Sequence, residues 1–219
     1  MDVKLPIISY IELASNLLPI AGGVMRRRVL RMEMRVLFAY VVFSFAVELL
    51  TLYLAFNRIN NLWAIHIYTL IEFILMVIIF SRFEEMMPYR KFAPMYIALY
   101  STTWIVSKIF FESFDEFDQY SSPSANILLI IIALRALYLS AQAVEPTIWR
   151  TSFFWFSVAV LVKFAGDFTL YLFGDWFIGL GLADGMAVWS LHWTINIISN
   201  IGFFLAIVCQ PPIPARTGS

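Results

Sequence analysis

The stretch Leu62-Trp-Ala-Ile-His66-Ile-Tyr68-Thr-Leu-Ile-Glu72-Phe-Ile-Leu-Met-Val-Ile-Ile-Phe80 decides the fold class of this chain. A helix needs about 20 mostly apolar residues to cross a bilayer, and this stretch has that length. It nevertheless carries a histidine and, near its middle, a glutamate. Because a charge at membrane depth is costly, such residues usually face a protein interior and mark function. The stretch therefore predicts a spanning helix with a polar face turned toward other helices.

The composition places the whole chain in the same class. Of its 219 residues, 61% are hydrophobic and 14% are charged, whereas soluble domains contain about 25% charged residues. Fifteen basic residues balance fifteen acidic ones, so the net charge predicts no nucleic-acid partner. The single cysteine, Cys209, excludes an intrachain disulfide and a cysteine metal cluster.

Seven apolar segments predict an all-α integral membrane protein built as a seven-transmembrane-helix bundle. Residues 1–210 form its single domain and residues 211–219 a short tail. The segments are 6–24, 36–56, 62–81, 92–111, 124–142, 151–173 and 186–209. The first is the weakest, because Pro19 and the pair Gly22-Gly23 interrupt its second half.

The basic residues predict the orientation, since positively charged loops stay in the cytoplasm. One side of the membrane receives Arg26, Arg27, Arg28, Arg31, Arg35, Arg82, Arg90, Lys91, Arg150 and Arg216. The other side receives only Lys4 and Arg58, together with an acidic run from Glu112 to Asp118 and with Asp175 and Asp184. We therefore expect the N-terminus outside and the C-terminus in the cytoplasm. The short loops suit a bacterial inner membrane.

Ionisable and amide side chains at overlapping depth on five helices predict an outward-facing polar cavity that binds a ligand. The predicted lining residues are Glu48, His66, Glu72, Arg135, Lys163, Asp167, His192 and Asn196. Lys163 and Asp167 are four residues apart and can pair on one helix. We further expect Arg135 to pair with Glu48 or Glu72. His66 points about a third of a turn away from Glu72, so these two residues should meet different neighbours.

Other polar residues have plainer interpretations. Lys108 and Glu112 lie near a helix end, and we expect them to extend to the outer surface. Asn16, Ser199, Asn200 and also Asn196 favour hydrogen bonds between helices over ligand contacts. For Glu12, near the outer surface, a structural and a functional role stay equally open.

Seven helices with an outside N-terminus resemble the layout of microbial rhodopsins and of G-protein-coupled receptors. Rhodopsins keep their retinal-binding lysine on the last helix, which has no lysine here, and the receptor signatures Asp-Arg-Tyr and Asn-Pro-x-x-Tyr are absent. Seven-helix membrane zinc hydrolases rely on three histidines, and this chain has two. His66, His192 and one carboxylate could still form a zinc set, but no local His spacing supports it.

Two function classes remain. The first is a receptor-like or sensory module that binds a small polar ligand from the outer side and acts on a cytoplasmic or membrane protein partner. The second is a small transporter or proton or ion pathway. A membrane zinc hydrolase is a further alternative. No nucleophile motif or glycine-rich phosphate loop occurs, so we expect no catalytic residues, no cofactor and no metal site. The inner halves of the second, third and sixth segments are almost wholly apolar, which favours the binding module over a conduit.

Overall fold

The computed structural model describes residues 6–116, 118–142, 147–172 and 182–211. These residues are helical throughout, apart from turns and connections. The α-helices are α1 (Ile7–Ser15), α2 (Leu17–Arg26), α3 (Met32–Phe56), α4 (Leu62–Arg82), α5 (Ala93–Phe110), α6 (Ser121–Gln142), α7 (Ser152–Leu172) and α8 (Leu182–Val208). Short 3-10 segments cover Glu84–Phe92 and Ile148–Arg150.

Six helical rods in the described residues are long and apolar enough to cross a membrane, with α1 and α2 counted as one rod. This confirms the predicted all-helical fold and is consistent with a multi-pass membrane protein. The remaining rod, α5, is 18 residues long and is not among the six, since Lys108 and the run Ser101-Thr102-Thr103 reduce its apolar character. Seven rods match the seven predicted segments, and the crossing of the membrane by α5 stays a prediction.

The first rod is interrupted at Asn16, where α1 ends and α2 begins. Pro19 explains the break, because a proline has no amide hydrogen to donate to Ser15, four residues earlier. The helix nevertheless continues through Gly22 and Gly23 to Arg26. The weak sequence signal thus produced an interrupted helix that retains the length of a span.

Contacts between connections define the two ends of the bundle. At one end Arg31 forms an ion pair with Glu84 at 3.5 Å, and Gln210 donates to the carbonyl of Val29 at 2.9 Å. This is the basic end, since most of the arginines lie there. At the opposite end Asn60 donates to Asp115 at 2.9 Å, and we call it the acidic end. Lys4, Asp175 and Arg216 lie outside the described residues, as does the side chain of Asp184.

Helix α7 lies between α6 and α8, while α8 also contacts α1 and α2. Helix α3 packs against α4, α4 contacts α6, and α5 lies against α4 and α6. A Cβ added to Gly202 of α8 would meet the Cβ of Ala159 at 2.7 Å. Small residues allow such close approach of helices. This contact holds Lys163 and Asp167 of α7 beside His192 of α8.

An aromatic core fills the half of the bundle nearer the basic end. The ring of Phe156 lies 4.7 Å from Phe80 and 6.1 Å from Phe203, and Tyr40 lies 5.9 Å from Phe203, between centroids. Phe80, Phe156 and Phe203 are buried, as is Met76. The core therefore separates the polar residues of the acidic half from the basic end.

Candidate functional site

A cavity of about 350 Å³ occupies the acidic half of the bundle. Residues at the acidic-end termini of α1, α3, α4 and α6 line its upper part, among them Tyr10, Phe56 and Ser122. Tyr40 and Phe203, the top of the aromatic core, line its floor. The ionisable side chains that line it, apart from tyrosines, are Glu12, Glu48, Glu72, Lys163, Asp167 and His192.

Glu72 and Lys163 form a hydrogen-bonded centre beside this cavity. The hydroxyls of Tyr40 and Tyr68 both donate to Glu72 Oε1 at 2.6 Å. The ammonium of Lys163 lies 3.6 Å from the same oxygen and 3.2 Å from Asp167 Oδ2. The predicted pair Lys163–Asp167 is thus confirmed, and Glu72 has three donors around one carboxylate oxygen.

Helix α8 adds His192 to this group. Its Nδ1 lies 2.9 Å from Asp167 Oδ1, so the ring and the carboxylate are partners although the angle falls outside strict hydrogen-bond geometry. Asn196 Nδ2 donates to His192 Nε2 at 3.1 Å. With this amide orientation Nε2 accepts from Asn196, and Nδ1 is the ring nitrogen that faces Asp167. Lys163 lies between the carboxylates of Glu72 and Asp167.

A second pair of carboxyl groups lies apart from that cation. Glu12 is 6% exposed, and its carboxyl lies beside that of Glu48. Asn16 Nδ2 donates to Glu48 Oε2 at 2.8 Å. No ion pair joins either carboxyl to a basic side chain in the described part of the chain. Two carboxyl groups in contact must share a proton or bind a cation, since like charges this close cannot both ionise.

Near the acidic end, outside the cavity, lies a cluster that we call the Lys108 cluster. Lys108 Nζ lies 2.5 Å from Glu112 Oε2, 2.6 Å from His66 Nδ1 and 3.5 Å from Asp118 Oδ1. Ser121 Oγ donates to Glu112 Oε2 at 2.7 Å. The side chains of Lys108 and Glu112 are 5% and 2% exposed. The expectation that they extend to the outer surface is therefore wrong.

Asp118 holds this cluster to the start of α6. Its Oδ1 accepts the amide hydrogen of Ser122 at 3.0 Å and its Oδ2 accepts the Ser122 hydroxyl at 2.9 Å. Burial alone would raise the pKa of the Asp118 carboxyl, but its polar contacts with His66 and Ser121 and the charge of Lys108 hold that pKa well below its ordinary 3.8. The carboxylate is thus ionised and saturated with donors.

His66, Glu112 and Asp118 also have the spacing of a metal site, with one ligand atom of each within 4.8 Å of the others. The ammonium of Lys108 already lies among these atoms, so the cluster has its cation. Lys108 cannot accept a proton, so His66 Nδ1 accepts from it, and Nε2 faces the carbonyl of Glu116 at 3.0 Å. This arrangement is a compensated ion cluster, and it does not favour a metal.

Arg135 faces outward and does not reach the cavity. Its guanidinium donates to the Tyr89 hydroxyl and lies 5.1 Å from the ring centroids of Tyr89 and Tyr138. The predicted pairing of Arg135 with Glu48 or Glu72 is therefore wrong. Arg135 instead lines a separate, mainly apolar groove of about 220 Å³ between α4, the Glu84–Phe92 segment and α6.

The structure brings six of the eight predicted residues to one cavity. These are Glu48, Glu72, Lys163, Asp167, His192 and Asn196, and their ligand-binding role stays a prediction. His66 and Glu72 meet different neighbours, as the helix geometry indicated. The zinc set of His66, His192 and a carboxylate, which the sequence left as an unsupported alternative, is not assembled, since the two histidines belong to separate groups.

Sequence reasoning missed several lining residues. Glu12 belongs to the cavity, and so does Asn126 of α6. Asn126 is only 3% exposed, and its Nδ2 has no hydrogen-bond partner among the described residues. Asn200 has the role expected of it, because it donates to Ser15 at 2.8 Å and joins α8 to α1.

Comparison with known proteins gives no relative from which a function could be transferred. No protein-family model, curated protein or solved structure matches this chain at a significant level. The functional argument therefore depends on the geometry of the cavity.

Proposed function

We propose that this chain is a receptor-like membrane module that binds a small polar ligand from the outer side of a plasma membrane, such as a bacterial inner membrane. The observation that supports it best is the cavity of about 350 Å³. Its volume is in the range of about 300–1,000 Å³ that is typical of small-molecule sites. Convergent carboxyl, ammonium, imidazole and amide groups give it the means to select a polar compound.

The orientation proposed from the arginines puts the acidic end, and with it the cavity, outside. A periplasm-active reporter such as alkaline phosphatase tests this when fused after Val208 and, separately, at Asp115. We expect activity at Asp115 and none after Val208. The reverse pattern would place the cavity toward the cytoplasm and overturn an outer-side ligand.

The aromatic core supports binding rather than conduction. A transporter or proton path needs polar groups or a second cavity that lead to the other side. Below the cavity, Phe80, Phe156 and Phe203 are buried and packed against one another. Serines at this depth, such as Ser157, donate to carbonyls of their own helix, so they offer no relay.

A signal would pass to another protein, because the connections at the basic end have no room for an output domain. The helix pair α7–α8 is the natural route: His192 on α8 contacts Asp167 on α7 at the cavity, and the same helices touch at Gly202 and Ala159. A ligand that draws His192 toward itself would shift one helix against the other. The partner would be a cytoplasmic or membrane protein.

A ligand screen tests the proposal. Purified protein is heated with a broad set of small polar metabolites, and each compound that raises the melting temperature is repeated with Asn196→Leu and His192→Ala. A ligand at a hundredfold excess over Kd stabilises by about 2.7 kcal/mol. We expect these changes in the lining to abolish the shift, and Ser124→Ala, at a half-buried position of α6 that does not border the cavity, to leave it intact. If no compound stabilises the protein and each neutralising change in the lining only lowers its stability, the polar residues form a structural network and the proposal fails.

A further inference from the structure

Ion pairs divide the polar residues of the acidic half into two groups that each contain a lysine and one group that contains none. The Lys108 cluster contains its own cation. Lys163 lies between Glu72 and Asp167 and serves both. Glu12 and Glu48 form no ion pair in the described residues, although Lys163 and His192 attract Glu12 from a distance, and Asn16 donates its amide hydrogen to Glu48. In the cavity as a whole, four carboxyl groups face one lysine and one histidine, so negative charge remains in excess even when His192 is protonated.

A second observation, at another part of the same cavity, also indicates an absent partner. The amide Nδ2 of Asn126 is buried in the lining and donates to no group in the described part of the chain. A buried donor without an acceptor is unfavourable. Such a group is expected where a ligand supplies the acceptor.

The apolar part of the lining is suited to a positively charged compound. Tyr10, Phe56, Trp189 and Trp193 all border the cavity. The faces of aromatic rings attract cations, and sites for quaternary ammonium groups use this property. Aromatic walls, excess carboxylate and one unused amide donor occur together in this one space.

We propose that the ligand is a small organic ammonium compound that also carries a hydroxyl or carbonyl oxygen. This inference depends on the proposed binding function and specifies its ligand. The carboxyl pair Glu12–Glu48 binds the ammonium group, and Asn126 donates a hydrogen bond to the oxygen. In the empty protein the pair shares a proton, and the bound cation replaces it, so binding releases a proton.

Choline and its neutral carbon analogue, in which carbon replaces the quaternary nitrogen, provide a matched pair of probes. Both contain the hydroxyl and have the same shape, and only choline is charged. Binding to the full chain in nanodiscs is measured by calorimetry in two buffers of different ionisation enthalpy. We expect choline to bind about tenfold more tightly than the analogue or better, which is the factor that a desolvated cation over aromatic rings supplies, and to release a proton.

Substitutions assign the two ends of the ligand. Glu48→Gln should weaken choline binding by about tenfold or more and leave the analogue unaffected, whereas Asn126→Leu should weaken both probes. Glu12→Gln repeats the first test should Glu48→Gln fold poorly. Glu84→Gln is the control, because Glu84 is 82% exposed and does not border the cavity.

The outcomes separate this inference from the proposed function. If the analogue binds as tightly as choline, or if Glu48→Gln leaves choline binding unchanged, the cavity binds ligands but the cationic anchor is wrong. A second result would overturn the inference: no ammonium probe, from ethanolamine to choline, binds at millimolar concentration, and Glu48→Gln raises the melting temperature. The carboxyl pair would then be a proton site. The metabolite screen then decides separately whether the cavity binds any ligand.

Discussion

Replacing Lys163 by methionine should destabilise the protein strongly, because two buried carboxylates depend on its ammonium. Lys163 is 9% exposed, with Nζ at 3.2 Å from Asp167 and 3.6 Å from Glu72. At an effective dielectric constant of about 20, each of these contacts contributes about 5 kcal/mol of attraction. Desolvation of the three charges offsets much of this.

The net loss is estimated from buried pairs in general, where removal of one partner costs about 3–5 kcal/mol. For a chain of this size each kcal/mol of lost stability lowers the melting temperature by roughly 2–4 °C. We therefore expect Lys163→Met to melt about 10 °C lower than the parent in detergent, with unfolding monitored by tryptophan fluorescence. Lys91→Met is the matched control. Lys91 is exposed and lies 5.1 Å over the ring of Phe92, so its removal should have little effect.

Two further measurements show whether the unpaired carboxylates cause the loss. Adding Asp167→Asn to Lys163→Met should restore part of the melting temperature, since one orphaned charge is gone. Acidification should narrow the difference between variant and parent, because protonation neutralises the same groups. If Lys163→Met melts within about 2 °C of Lys91→Met, less than the effect of 1 kcal/mol, Lys163 is not an internal counter-ion and the charge balance argued above is incorrect.

Three other predictions follow from the packing and from the Lys108 cluster. Gly202→Ala should lower the melting temperature clearly, because the added Cβ would meet the Cβ of Ala159 at 2.7 Å. Gly22→Ala should be tolerated better, since the nearest neighbour of its added Cβ is the Phe204 side chain at 3.1 Å. Equal effects of the two substitutions would contradict the close α7–α8 contact. Lys108→Met should be destabilising by about 3–5 kcal/mol in thermal melts, and Lys108→Arg less so; a neutral result would mean that the cluster is solvated. Folding lowers the pKa of Asp118, so its contribution to stability is complete above pH 3.8 and is lost as the pH falls toward the lowered value. Below pH 4 the melting temperature of the parent should therefore fall more steeply with pH than that of Asp118→Asn. Parallel curves of melting temperature against pH would refute the assigned pKa direction.

Local sequence patterns predicted the features that depend on one helix at a time. The apolar runs located each helix within a few residues, as for 62–81 against Leu62–Arg82. The four-residue spacing of Lys163 and Asp167 predicted their pairing, because residues so spaced are neighbours on a helix. The angular separation of His66 and Glu72 predicted their different surroundings, since helix geometry fixes it.

The errors concern features that depend on how helices and connections meet. Lys108 is buried because the connection after α5 folds back and brings Asp118 and Ser121 against it, and no local pattern shows that return. Arg135 faces outward because α6 packs through another face, where Leu129, Ala133, Ala136 and Ser140 are buried. Small residues at this spacing were the available signal, since they mark the packing face of a membrane helix.

The contrast between the two carboxylate groups near the acidic end gives the strongest argument for function. In the Lys108 cluster every charged oxygen has donors from Ser121, Ser122 or Lys108, so nothing is left for a ligand to supply. Glu12 and Glu48, in contrast, border open space and have one amide between them. The chain supplies a lysine to Glu112 and Asp118 but none to Glu12 and Glu48. The pair Glu12–Glu48 therefore retains a position for a cation from outside.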